Sequence, residues 1–300
     1  MKRAWVLLFV ASLATTALGQ TCQGRLIQHA MGETCVPKVA QRVVVLDTGE
    51  LDSALALGVK PVGAVTAPGQ PFQGYLLSLT EGIQSVGTIQ QPNLEKILAL
   101  KPDLILSNKL RHGQIYPQLS RIAPTVMAET VGVVWKENLL LVGEALGRST
   151  QAKVLLAQYQ RRVTQLRNRL GGRGHLPSVS MVRFVPGQIR LYCKANFIGT
   201  ILADIGLPRP KSQDSDKFAE FISQERIADM DADYIFYAAY GDPNQTELNA
   251  VLNHPLWRRL SAVQRGRAIR VEDDHWYLGI GPLAASQVLD DLERFLLRTP

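Results

Sequence analysis

The apolar positions of this chain fall into short runs that alternate in kind. RVVVLD (Arg42–Asp47) is a β-branched run closed by a polar turn, the pattern of a buried strand. GELDSALALG follows with apolar residues at helical spacing and Gly58 as its stop. KPVGAVT (60–66) reads as the next strand, and a loop rich in Gly, Pro and Gln runs on to Tyr75. PNLEKILAL is a short helix with Asn93 as cap and Glu95 in its first turn; PDLILSN is a strand, GQIYPQLSRIA a helix and PTVMA a strand. This alternation predicts an α/β unit on a mainly parallel sheet.

Residues 135–170 break the rhythm. WKENLLLVGEALG and STQAKVLLAQYQRRVTQLRNRL are both helical by pattern. In the second, Leu155, Tyr159, Val163, Leu166 and Leu170 share one face, and GGRGHLP ends it. At about 22 residues this helix is roughly 33 Å long, the width of a small domain. Then the alternation resumes. SVSMVRF and GQIRLYC are strands, FIGTILADIG and SQERIADM helices, and DYIFYAA a strand. LNAVLNHPLWRRL is helical, RAIRVED a strand, and GPLAASQVLDDLERFLLR the closing helix, with Pro282 in its first turn. The chain therefore reads as α/β, long helix, α/β. It also repeats itself: NLEKILALKPDLILSN (93–108) and SQERIADMDADYIFYA (223–238) share a Glu, a basic residue, an Ile, an Asp and an apolar run. One helix–strand unit is used once in each half.

These readings divide the chain into a leader (1–19), an N-terminal arm with a disulfide (20–41), a first α/β lobe (42–134), linking helices (135–172) and a second α/β lobe (173–300). The leader has the three parts of a secretory signal: Lys2 and Arg3, the run AWVLLFVASLATTAL, and ALG before a cut after Gly19. Its apolar run is shorter than the roughly 20 residues that span a bilayer, so a cleaved, exported chain is expected. Removing Lys2 and Arg3 lowers the formal charge from +7 to +5, a weak preference for anionic partners. The basic residues are scattered and export argues against nucleic acid.

Three cysteines remain. In an exported chain Cys22 and Cys35 are expected to pair, closing a loop of about 14 residues, worth on the order of 3 kcal/mol. A lipid anchor on Cys22 is not expected, because Thr21 precedes it and Gly19 sits three back, where a lipobox needs a small and an aliphatic residue. Cys193 is left as a free thiol. The five histidines (29, 112, 175, 254 and 275) show no metal-ligand spacing, and no Cys pair has zinc spacing. No cofactor and no direct protein–metal site are expected. Nor is there a P-loop or a G-x-S-x-G elbow; the DTG after Leu46 runs into a helix and has no second copy. The chain is not expected to be an enzyme.

The paired segments, and the C-terminal HPLWRRLSAVQRGRAIRVEDDHWYLGIGPLAASQVLDDL, resemble those of the periplasmic substrate-binding proteins of ABC transporters that import ferric siderophores, haem and cobalamin. VRFVPGQIRLY…GTILADIGLPRP resembles the ferric-siderophore and ferric-citrate branch, and the likeness runs from about Arg42 to Leu297. It rests on the order of several weak motifs. The resemblance implies two Rossmann-like lobes with mostly parallel sheets, joined by one long rigid α-helix, with the ligand in a shallow cleft between them. It implies a monomer that captures an iron chelate and delivers it to an ABC permease dimer in the inner membrane. In that family a glutamate of each lobe docks on permease arginines, and Glu95 and Glu225 match those positions. A structural role in complementing a helix dipole would account for either Glu singly. Asp103 and Asp233 are read as turn formers.

A ferric siderophore presents an oxygen-rich, often anionic surface. Arginine forks and flat aromatic rings suit it. Arg183, Arg190 and Tyr192 in RFVPGQIRLY, Tyr240 and Arg111 after strands, and Trp276 in DDHWYLG are the candidates. Trp276 also matches a cleft-facing Trp of the family. Thr48, Gly49 and Thr66 are candidates by position alone. The alternatives are haem, with Tyr240 or His275 as axial ligand, cobalamin on the same scaffold, or an exported α/β hydrolase.

Overall fold

Val43–Val45, the heart of RVVVLD, is buried on both faces and paired on both edges. It is strand β3 of a five-stranded sheet in a computed structural model that describes residues 22–66, 72–171 and 175–297. The leader and its cut after Gly19 lie outside the described residues. The sheet runs in the order β5-β4-β3-β6-β7 and is parallel throughout, with β4 Gly63–Thr66, β5 Gln84–Thr88, β6 Leu104–Asn108 and β7 Thr125–Ala128. Alternate residues go to opposite faces, as the pleat dictates. Val43, Val45, Leu104 and Leu106 pack with Leu139 and Val142 of the helix Trp135–Ala145, whereas Val44, Ile105 and Met127 pack with Ile97 and Leu119 on the other side. The sequence did not predict β5. QSVGT buries fully only Val86, too little to print an apolar pattern.

The N-terminal arm is a hairpin, β1 Arg25–His29 and β2 Gly32–Val36, closed by the Cys22–Cys35 disulfide with Cα atoms 5.6 Å apart. It is fastened to the first lobe by Ala30 N–H donating to Met127 O (2.9 Å) and Thr34 Oγ1 to Thr125 O (3.2 Å).

The second sheet has the order β10-β9-β8-β11-β12: β8 Val179–Val185, β9 Gln188–Tyr192, β10 Ala219–Ile222, β11 Tyr234–Ala239 and β12 Ala268–Arg270. Strands β8, β11 and β12 are parallel; β9 and β10 are antiparallel additions at one edge. Pro186 and Gly187 make the two-residue turn into β9, with Gly187 at the positive φ of 68° that a Pro-Gly turn needs. The sequence did not predict β10; its Phe221 is exposed on an edge strand.

The long helix Ser149–Gly171 has 23 residues, about 34 Å. Ala152 lies in the first core; Tyr159, Val163, Leu166 and Leu170 lie in the second; Leu156 packs against both. One helix thus crosses the junction. LNAVLNHPLWRRL splits into Leu248–Asn253 and Pro255–Arg259, because the residue before a proline is driven out of helical backbone and His254 is extended (φ −70°, ψ 139°). SQERIADM forms a 3-10 helix, Gln224–Met230, with a break at Arg226. Asp103 and Asp233 do more than shape turns. Asp103 accepts from the backbone N–H of Gln41 and Arg42 (2.7 and 2.9 Å), and Asp233 from that of Ser178 (2.8 Å), so each pins the start of a neighbouring strand.

The closing helix Pro282–Leu297 belongs to the second core through Val288, Leu289 and Leu292. Its N-terminus reaches the first lobe. Asp52, in the helix Thr48–Ala56, accepts from the N–H of Leu283 (2.8 Å) and Ala284 (3.0 Å) and from the Tyr75 hydroxyl (2.9 Å). Gly74 N–H donates to Asp274 across the same junction at 2.6 Å. The contact is close: a Cβ on Gly281 would lie 2.5 Å from the Asp52 carboxyl, and one on Gly49 2.8 Å from Ile280 O.

Candidate functional site: the interlobe cleft

Between the lobes lies a cleft of about 460 Å³. The first lobe contributes Asp47, Thr48 and Arg111, at or just past the carboxyl ends of β3 and β6, where parallel sheets present ligands. The second contributes Arg183, Arg190, Tyr192, Phe218, Tyr240 and Trp276. All six candidates drawn from the sequence line it. Thr48 does too; Gly49 and Thr66 do not, Gly49 being pressed against Ile280 instead. The sequence reasoning missed Phe218, half exposed beside Tyr192 with ring centroids 5.1 Å apart. The alternation of KFAEFI was its available signal.

Arg111 is set from two directions. Asn108 caps its short helix Lys109–His112 by accepting the Arg111 backbone N–H (3.1 Å), and the side chain donates from Nε to Asp47 (2.7 Å). Its Nη groups have no partner among the described residues. Asp47 is 1% exposed and caps the helix Thr48–Ala56. One turn on, Glu50 is equally buried; neither carboxyl oxygen has a well-formed hydrogen bond, and the Asn108 side chain, its own backbone N–H and Arg111 favour its charged form only weakly. Burial first, and then the charge of Asp47, push its pKa up to about 8, so it is protonated at neutral pH.

Arg183 is differently placed. Nε and Nη2 donate to Asp273 at 2.6 and 2.5 Å, and Nη1 donates to the Tyr192 hydroxyl at 3.2 Å. Burial opposes its charge, but Asp273 outweighs burial and holds the pKa above the ordinary arginine value. Each nitrogen already has an acceptor. What it offers the cleft is a supported Tyr240 ring, 4.8 Å from its guanidinium carbon. Arg190 pairs directly across strands with Arg183. Like charges so placed repel, and the Arg183–Asp273 pair removes most of that cost. The Arg190 guanidinium reaches only Gln188 Oε1 (3.0 and 3.2 Å) and lies 5.6 Å from the Phe221 ring, with no carboxylate partner among the described residues. It is the uncompensated cation of the cleft.

Trp276 is fully buried in the π-helical turn Asp274–Leu278; its indole donates to Asp291 (2.9 Å) and packs on Phe236. It forms wall without presenting a free donor. Tyr192 is nearly buried, its hydroxyl taken by Arg183, whereas Tyr240 stands 43% exposed at the edge. His275 does not line the cleft and shares Asp291 with Trp276, at 2.8 Å. Glu95 and Glu225 lie outside the cleft, exposed and without side-chain partners among the described residues. Cys193 is a buried free thiol.

The family model for periplasmic binding proteins matches residues 43–274. Among curated proteins, the chain is 40% identical over 288 residues to the probable siderophore-binding lipoprotein YfiY of Bacillus subtilis, covering 92% of this chain and 88% of that protein. It is 34% identical to the achromobactin-binding periplasmic protein of Dickeya dadantii, with 85% and 86% covered. Among solved structures, Staphylococcus aureus SirA complexed with staphyloferrin B superposes with a TM-score of 0.81 at 34% identity, covering 91% of this chain and 98% of that one.

Proposed function

Since this chain belongs to the periplasmic binding protein family, we propose that it captures a ferric siderophore, or ferric citrate, outside the cytoplasm and delivers it to an ABC import permease without chemical change. The observation that carries this reading is the cleft itself. Arginines with uncommitted N–H groups, Arg111 on one lobe and Arg190 on the other, face a gap walled by Tyr240, Phe218 and Tyr192. Such groups recognise a preformed chelate by its outer oxygens and flat faces. Relatives named for siderophores and ferric citrate support it. His275 is held on Asp291 away from the cleft, which leaves Tyr240 as the axial candidate of the haem alternative.

Delivery follows from the exposed acidic tips. Glu95 and Glu225 occupy equivalent places in the two lobes and have no side-chain partner among the described residues, which suits docking on a two-fold permease. The chain acts as a soluble monomer cut after Gly19. Its Cys22 sulfur is held in the disulfide, which supports a free rather than a lipidated N-terminus.

The test is a titration of intrinsic tryptophan fluorescence with iron-loaded and iron-free citrate, staphyloferrin B and a tris-catecholate chelate, with haem and cobalamin alongside. Saturable quenching by an iron-loaded chelate and little response to its iron-free form is the expected outcome. Saturation by haem or cobalamin alone would overturn the reading.

A further inference from the structure

The helix Thr48–Ala56 carries a carboxyl group that chelate capture leaves unused. Glu50 sits one turn beyond Asp47, is 1% exposed, and has no well-formed hydrogen bond at either oxygen. The Asn108 side-chain nitrogen nearby is likewise buried without one. The charged groups acting on Glu50 are Asp47 on its own helix cap and Arg111 on the short helix after β6, with the polar side chain of Asn108; His112 on that short helix acts on Asp47 and Arg111. His112 supplies no counter-charge. Its Nε2 donates to Ile89 O (2.7 Å), its Nδ1 is bonded to Ser107 (2.7 Å), and burial holds its pKa below the ordinary value. Arg111 is paired with Asp47 and also acts on Glu50, so one cation serves both of these carboxyl groups.

The charges of the cleft then decide what the proton on Glu50 does. Asp273 neutralises Arg183, and Asp47 neutralises Arg111. Arg190 remains as the surplus positive charge. An ionised Glu50 would add one negative charge within the electrostatic reach of Arg111 and cancel that surplus. We propose that Glu50 is a proton-binding site that sets the affinity of the cleft for anionic ligands: protonated, it leaves Arg111 able to hold a ligand oxygen; ionised, it turns the first-lobe wall against an anion. This rests on the reading that the ligand is an anionic chelate.

Linkage fixes the sign. If ionising Glu50 weakens anion binding, anion binding strengthens proton binding by the same factor. Capture takes up protons, and affinity falls as pH rises through the Glu50 titration. Burial and Asp47 place that titration near 8, within the range where the folded protein can be assayed.

The experiment measures ferric citrate affinity for the full chain and for Glu50→Gln between about pH 6 and about pH 9, by calorimetry in buffers of different ionisation enthalpy. Citrate speciation is common to both proteins, so their difference isolates the residue. The wild-type affinity should fall about tenfold more than that of the variant over this range, with greater net proton uptake in the wild type than in the variant. Parallel curves and equal proton uptake would overturn the proposal. If Glu50→Gln failed to fold, infrared titration of the wild type would decide. A protonated-carboxyl band at neutral pH, lost on raising the pH and retained to higher pH with ferric citrate bound, supports the site; absence of the band overturns it. If ferric citrate bound neither protein at any pH, ferric citrate would be ruled out as the ligand, while the siderophore reading would rest on the fluorescence panel. The proton site would then stand or fall on a carboxyl band that titrates in the unliganded wild type and is missing from Glu50→Gln.

Discussion

Arg183 and Arg190 face each other across two strands, yet their surroundings give them opposite duties. Arg190 spends its donors on one glutamine, so Arg190→Ala should weaken chelate binding by about 1.5–3 kcal/mol, roughly tenfold to a hundredfold in Kd, with little change in stability. Arg183→Ala strands Asp273, whose side chain is only 13% exposed. It should lower folding stability by about 3 kcal/mol. Urea denaturation beside fluorescence titration separates the two, and loss of affinity without loss of stability in Arg183→Ala would show that its guanidinium contacts ligand directly. The residue types and their strand-end positions were legible in RFVPGQIRLY. The commitment of Arg183 to Asp273 was not, because the partner lies 90 residues away and RVEDD reads as an ordinary strand end. The same limit hid Asp291 as the acceptor that holds Trp276.

The helix Thr48–Ala56 is the element on which most of the site depends. Its cap holds Arg111, its first turn carries Glu50, and Asp52 clasps the N-terminus of the closing helix. Burial raises Asp52 to about 6 and, with Asp47, Glu50 to about 8. Both native values lie above those of the unfolded chain, so the native state holds more protons than the unfolded state in this range. The stability these groups contribute is complete below the unfolded values and lost as pH rises through about 6 and then about 8. Urea midpoints should fall from pH 5 to pH 8 by a loss on the order of a few kcal/mol, and Glu50→Gln should lose less; a midpoint rising with pH in both proteins would contradict this. Gly281→Ala would push a methyl into the Asp52 carboxyl and should cost about 1–3 kcal/mol, read as a lower thermal midpoint. Elements with strong apolar rhythm, such as β3, β6 and β8, were legible. Strands β5 and β10 were not, since each buries only one residue fully, and the hairpin at Cys22–Cys35 is too polar to announce itself. The π-helical turn at Trp276 has no local signature; packing selects it.

At the scale of the molecule, the duplicated helix–strand unit places Glu95 and Glu225 on exposed first turns of both lobes. Replacing both with Arg should abolish chelate uptake into cells while leaving the Kd of the isolated protein unchanged. A fall in affinity would mean that docking surface and cleft are not separate. The two-lobed plan was visible in sequence because the long amphipathic helix and the repeat flank one another. The clasp between lobes was not, because it joins residues 200 positions apart, as Gly74 and Asp274 are.

That clasp has a bearing on which cargo the protein tolerates. With Ser149–Gly171 on one side and the Asp52 and Asp274 bonds tying first lobe to second, the walls have little freedom to fold over what they hold. A chelate seated there keeps its outer side in water. A dye or an antibiotic tethered to that side should therefore travel with the metal complex, and a tethered chelate should bind within about threefold of the bare one, as competition fluorimetry would measure.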